Sequence, residues 1–166
     1  MTLEEAIKMA LDYEKKVRNV YKTAADSASN DTGKKVFNVL AKEEQGHIDY
    51  LQTKLNEWKK TGKVIAEKLA TVVPSKRVIE DGVKKLDIHL SNAKKGSERE
   101  FLSKALQLEI DTSNFYKKMA AELGKDGNLF ARFLEIEEGH QAIVQAEMDF
   151  NDRTGYLFDF QDFGMV

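Results

Sequence analysis

Apolar residues recur along this chain at alternating steps of three and four. That spacing keeps side chains on one face of an α-helix. The first such stripe is Ile7, Ala10, Glu14, Val17, Tyr21, Ala24 and Ala28. Thr2, with Glu5 three residues later, predicts a capping box at its start. Asn30-Asp31-Thr32-Gly33 has the composition of a helix stop and turn. A second helix is expected over residues 34–60, with the stripe Phe37, Leu40, Glu44, His47, Leu51, Leu55 and Trp58, and Thr61-Gly62 closes it.

Residues 62–96 break this regularity. They contain Pro74, then a short amphipathic piece (Ile79, Val83, Leu86, Leu90) that Gly82 weakens, and end on Lys94-Lys95-Gly96. A crossover connection with a short helix is expected here. Ser97 and Glu100 predict a second capping box, opening the stripe Leu102, Ala105, Glu109, Thr112, Tyr116, Ala120 and Leu123. After the turn Gly124-Lys125-Asp126-Gly127-Asn128, a fourth stripe carries Phe130, Phe133, Glu137, His140, Val144 and Met148. Residues 151–166 form a tail with Tyr156, Phe158, Phe160 and Phe163.

The two halves repeat each other. Glu14-x6-Tyr21 matches Glu109-x6-Tyr116, and Phe37-x6-Glu44-x-Gly46-His47 matches Phe130-x6-Glu137-x-Gly139-His140. Duplicated helical hairpins joined by a long crossover predict an all-α four-helix bundle over residues 1–150.

Composition narrows the function. The chain has 166 residues, 26 basic and 28 acidic, for a formal charge of −2. That balance removes the broad electrostatic case for nucleic acid. The absence of cysteine excludes disulfides, thiolate metal sites and a cysteine nucleophile. It also fits a reducing compartment, so a cytoplasmic location is expected. The opening MTLEEAIKMALDYEKK is acidic and lacks a long apolar core, so no secretory signal is expected. No run of 18 apolar residues predicts a membrane span.

The chemistry lies where polar residues occupy core stripes: Glu14, Glu44, His47, Glu109, Glu137 and His140. An uncompensated buried charge costs several kcal/mol even after relaxation. Two divalent cations would neutralise four buried carboxylates. In Glu-x-x-His the two side chains are neighbours on one helical face. A lone copy reads as a solvated acid and a satisfied histidine. Two copies in register, each with a Glu on the preceding helix, fit a dinuclear carboxylate centre. Oxygen and imidazole ligands suit iron, manganese or zinc, of which zinc does no redox chemistry.

Glu43 lies four residues before His47 and competes with Glu44 as ligand. The repeat aligns Glu43 with Ile136, which favours Glu44. Glu43 and Glu138 then read as solvated acids or as outer partners of the ligands. Tyr21 and Tyr116 each follow a predicted ligand by seven residues. Their phenols either donate to a carboxylate across the bundle or simply pack in the core. Thr112, one turn after Glu109, faces the site or bonds back to a backbone carbonyl. His89 reads as a surface histidine, and Trp58 and the tail aromatics as packing or oligomer contacts.

At these residues the chain resembles the rubrerythrin-like, ferritin-like di-iron carboxylate family. The match lies in Glu14-x6-Tyr21, Lys42-Glu43-Glu44-Gln45-Gly46-His47, Glu109-x6-Tyr116 and Glu135-Ile136-Glu137-Glu138-Gly139-His140, within residues 1–60 and 97–150. The resemblance implies a ferritin-like bundle holding two iron ions. It implies bridging roles for Glu44 and Glu137, terminal ligation by Glu14 and Glu109, and imidazole ligation by His47 and His140. It implies reduction of hydrogen peroxide or O₂, or oxidation of ferrous iron, in a homodimer. Two departures matter. Without cysteines there is no rubredoxin-type site, so an external electron-donor protein is required. Thr112 also stands where rubrerythrins carry an additional Glu. Its absence weakens the case for peroxidase activity and makes the site more symmetric. The expected function is a di-iron oxidoreductase. The alternatives are a ferroxidase or iron-handling protein, and a non-catalytic bundle with structural metal or an interaction role.

Overall fold

The computed structural model describes residues 1–65, 69–84 and 98–160. The described residues are all-helical, with no strand among them. In chain order the helices are α1 (Leu3–Ser27), α2 (Asp31–Thr61), α3 (Lys76–Val83), α4 (Glu98–Glu122) and α5 (Asn128–Thr154). A 3-10 turn, Gly124–Gly127, joins the last two. No helix among the described residues is long and apolar enough to cross a membrane.

The caps explain most boundaries. The Thr2 hydroxyl accepts from the Glu5 N–H at 3.2 Å, and the Glu5 carboxylate accepts from the Thr2 N–H at 2.9 Å, completing the predicted box. Gly62 and Gly155 end α2 and α5 in the left-handed region, at φ 69° and 83°, where a side chain would be strained. The expected turn at 30–33 is a correction. Asn30 is the N-cap of α2, its side chain accepting from the Gly33 N–H at 2.9 Å, so Asp31, Thr32 and Gly33 form the first turn of the helix. The same side-chain chemistry serves both a turn and a cap.

α5 continues to Thr154, and Leu157, Phe158 and Phe160 are buried in the core. The Glu147 carboxylate, itself buried, accepts from the Phe158 N–H at 2.9 Å and ties this stretch to α5. Residues 155–160 therefore complete the bundle. The expectations for Leu86, His89, Leu90, the Lys94-Lys95-Gly96 stop, the Ser97 cap and Phe163 fall outside the described residues.

The core forms two apolar clusters. One holds Val17, Val20 and Ala24 of α1, Val36, Phe37 and Leu40 of α2, Leu102 and Ala105 of α4, and Ile143 and Val144 of α5. The other holds Leu3, Ile7 and Leu11 of α1, Leu51 and Leu55 of α2, Phe115 and Met119 of α4, and Phe130 and Phe133 of α5. Each of the four long helices contributes one end to each cluster. Their order shows that α1 and α5 run one way and α2 and α4 the other. Two parallel neighbours in sequence, α2 and α4, require a connection that returns along the bundle. This is why 62–97 is long.

The described part of that connection is held closely. The Arg132 guanidinium donates to the Leu69 carbonyl at 2.9 and 3.3 Å. Glu43 accepts from the Thr71 hydroxyl and, at 3.1 Å, from the Val72 N–H. At Gly139 an added Cβ would stand 2.8 Å from the Pro74 carbonyl oxygen, whereas at its repeat counterpart Gly46 nothing lies within 4 Å. The two glycines should therefore respond oppositely to alanine. Gly46→Ala should stabilise by up to about 1 kcal/mol through helix propensity. Gly139→Ala should destabilise by about 1–3 kcal/mol through overpacking. Urea midpoints of the two variants check both signs.

Candidate metal centre

Between the two apolar clusters lies a polar layer drawn from all four long helices. α1 supplies Glu14, α2 supplies Glu44 and His47, α4 supplies Glu109, and α5 supplies Glu137 and His140. All six are buried, none more than 1% exposed. They converge because each sits where its helix's core stripe passes the middle of the bundle.

Their ligand atoms form two overlapping groups. Glu14, Glu44, His47 and Glu137 place one such atom each within 4.8 Å of one another, and so do Glu44, Glu109, Glu137 and His140. Glu44 and Glu137 belong to both. The His47 Nδ1 lies 3.3 Å from Glu14 and 3.3 Å from Glu44. The His140 Nδ1 lies 2.9 Å from Glu44 and 3.6 Å from Glu109. Both imidazoles thus turn Nδ1 towards the carboxylates, and the rings stack at 5.3 Å between centroids.

The two phenols reach across the bundle. The Tyr21 hydroxyl donates to Glu109 at 2.9 Å, and the Tyr116 hydroxyl donates to Glu14 at 2.6 Å. Each tyrosine therefore holds the carboxylate that heads the other repeat. Thr112 is buried, but its hydroxyl donates to the Leu108 carbonyl at 2.7 Å, as a threonine inside a helix commonly does. Glu138 is exposed. Trp58 packs against the second apolar cluster. Phe133 stands edge-on to His47 at 5.5 Å, a neighbour that its place on the α5 stripe alone did not single out.

Glu43 is partly buried, and its Oε1 is 3.6 Å from the His140 Nε2. Its partners Thr71 and Val72 come from the connection, where no periodic pattern announces them. Glu147 also lies on the α5 core face, seven residues after His140, and that spacing was a legible signal.

The electrostatics follow from burying this many acids together. Burial pushes the Glu44 carboxyl well up, and the neighbouring Glu14 and Glu109 charges push it further. Burial does the same to Glu137, reinforced by Glu109 and Glu14. Burial also opposes the Glu14 charge, but His47 and the hydrogen bonds from Glu44, His47 and Tyr116 bring its pKa down to about 2. Glu109 is lowered against its burial by hydrogen bonds with Glu137 and His140. His47 would lose its proton through burial, yet Glu14 and Glu44 raise it to about 10. His140 is likewise raised, against burial, by Glu109, Glu43 and Glu44. Glu43 is pulled down to about 2, its burial outweighed by His140.

Burial and mutual repulsion thus push Glu44 and Glu137 up, while the carboxylates favour the protonated imidazoles. Glu44 Oε2, Glu109 Oε2, both Glu137 oxygens and the Nε2 of both histidines are buried without a hydrogen-bond partner among the described residues. Such buried polar atoms are rare and costly. Each of the two groups could hold a metal ion, which would satisfy such oxygens; carboxylate and imidazole are donors of the type that iron, manganese and zinc accept. Glu44 and Glu137 would be shared between the two groups, with Glu14 and His47 belonging to one and Glu109 and His140 to the other.

No family model, curated protein or solved structure matches the chain. The functional reading rests on the residues themselves.

A metal ion needs these ligands unprotonated, so binding must release protons. Affinity for zinc or ferrous iron should rise by about tenfold per pH unit for each proton displaced, from about pH 6 to about pH 8. Calorimetry in buffers of different ionisation enthalpy counts those protons. Stability of the metal-free protein has the opposite dependence on the alkaline side. The His47 contribution is fully present below its unfolded value of 6.5 and is lost as pH rises through about 10. The Glu14 contribution is present above 4.5 and is lost as pH falls through about 2. Urea midpoints of the metal-free protein should fall towards both limits.

Proposed function

We propose that this chain is a rubrerythrin-like member of the ferritin-like di-iron proteins, reducing hydrogen peroxide or O₂ with electrons from an external donor protein. The observation that carries the reading is the pair of overlapping ligand groups sharing Glu44 and Glu137. The helix directions and the single long crossover also suit a ferritin-like bundle. A homodimer in the cytoplasm belongs to the same proposal.

Two iron ions held here would supply the two electrons that convert hydrogen peroxide and two protons into two waters. The chain's own residues set the conditions. Tyr21 and Tyr116 orient Glu109 and Glu14 through charge-assisted hydrogen bonds. The apolar clusters on either side exclude bulk water, which strengthens every charge interaction within. Six protein ligands for two ions leave coordination positions for a small oxidant. Manganese and zinc fit the same donors, and zinc would leave the centre redox-silent.

One observation favours a second reading, ferrous oxidation and iron handling. The Thr112 hydroxyl is bonded to its own helix and Asp111 is exposed, so Glu109 is the carboxylate that α4 turns inward there. Each ligand group then holds three glutamates and one histidine, a nearly symmetric pair.

Anaerobic ferrous loading followed by rapid mixing with peroxide or O₂ distinguishes these readings. Two irons per chain, oxidised faster by peroxide, support the reductase. Preference for O₂, with iron consumed beyond two per chain, supports iron handling. Metal that binds but stays redox-silent supports a structural role. Glu44→Ala and Glu137→Ala should each reduce binding to at most one ion per chain. Full two-metal stoichiometry in both variants would overturn the shared centre.

A further inference from the structure

The repeat is close at the ligands and fails one position before them. Glu43 on α2 corresponds to Ile136 on α5. The structure shows what that difference does. His140 lies between two carboxylates, with Nδ1 2.9 Å from Glu44 and Nε2 3.6 Å from Glu43. The same Glu43 oxygen accepts from the Thr71 hydroxyl and the Val72 N–H. Those donors fix it where the crossover packs back against the middle of α2. His47 has no such arrangement. Neither outer nitrogen has a hydrogen-bond partner among the described residues, but only that of His140 has a carboxylate facing it. The His47 Nδ1 faces Glu14 and Glu44, and no carboxylate of the described residues pairs with its Nε2. Ile136, at the position that would supply one, is buried in the apolar core.

A carboxylate facing the outer nitrogen of a ligating imidazole fixes the ring and its tautomer. It also makes the inner nitrogen a better donor. We propose that Glu43, anchored by Thr71 and Val72, is a positioning residue for His140 and makes the two metal positions unequal, with the His140 position the tighter. The proposal rests on the metal-centre reading above. It gives the crossover a role beyond connecting helices, because residues 71–72 set an acid that supports one ligand. It also explains an acid that would otherwise sit partly buried beside the centre without ligating it.

Zinc is the suitable probe because it binds these donors without redox chemistry. The metal-free full chain would be titrated with zinc by calorimetry, with circular dichroism confirming that each variant keeps its helices. The expected wild-type result is two binding steps. Glu43→Gln should weaken the tighter step about 10–100-fold and move the weaker one far less. Thr71→Val, which keeps the acid and removes an anchor, should weaken the same step by a smaller factor. The chain has only three histidines, so their ¹⁵N resonances can be assigned in the zinc-loaded protein. Glu43→Gln should move the outer nitrogen of His140 and leave that of His47 in place, which a general loss of stability would not do. Equal weakening of both steps, or no change in either, would overturn the proposal while leaving the metal centre intact. Fewer than two zinc ions on the wild-type chain would instead overturn the metal-centre reading itself.

Discussion

Four carboxylates and two imidazoles buried in one layer are the constraint around which this molecule is organised. Such a layer is expensive in an apolar interior unless charge and hydrogen bonding are balanced. Part of that balance comes from the two phenols, which donate to Glu109 and Glu14, and part from His47, whose pKa is raised, against burial, by Glu14 and Glu44. It stays incomplete, because several carboxylate oxygens are left without donors. Divalent cations would complete it. The apolar clusters above and below make the layer dry, and dryness raises both the cost of the charges and the strength of their pairing.

The layer also bears on the topology. Each helix must bring its polar position to the same height while burying apolar residues on both sides. The hairpins α1–α2 and α4–α5 accomplish this through short connections, but parallel α2 and α4 demand a long return. That return carries weight of its own. Its backbone lies against Gly139 and its Leu69 carbonyl takes the Arg132 guanidinium. Thr71 and Val72 hold Glu43. The stretch that precedes α3, which has no hydrophobic periodicity, thus makes the two halves differ.

The pattern of threes and fours, with acids and histidines embedded in it, made the four long helices and their six inward polar residues legible. Capping chemistry was legible at Thr2, where Glu5 follows at the required spacing, and ambiguous at Asn30, where cap and turn use the same side chain. The end of α5 was legible in Thr154-Gly155, the same pair that closes α2, but the burial of Leu157, Phe158 and Phe160 was not, because it depends on surfaces supplied by distant helices. Among the polar residues, Thr112 and the tyrosines each allowed two readings, because spacing fixes a face but not a bonding partner.

The sequence by itself determined which residues share a helical face and that the chain is duplicated, because both follow from periodicity and local chemistry. Only the tertiary structure decided that Tyr21 serves Glu109 and Tyr116 serves Glu14, pairs 88 and 102 residues apart. It alone decided that Glu44 and Glu137 stand in both ligand groups, and that Glu43 faces the histidine of the other half rather than its own. Those facts depend on how helices far apart in the chain are rotated and aligned, and the burial of their apolar faces sets that alignment.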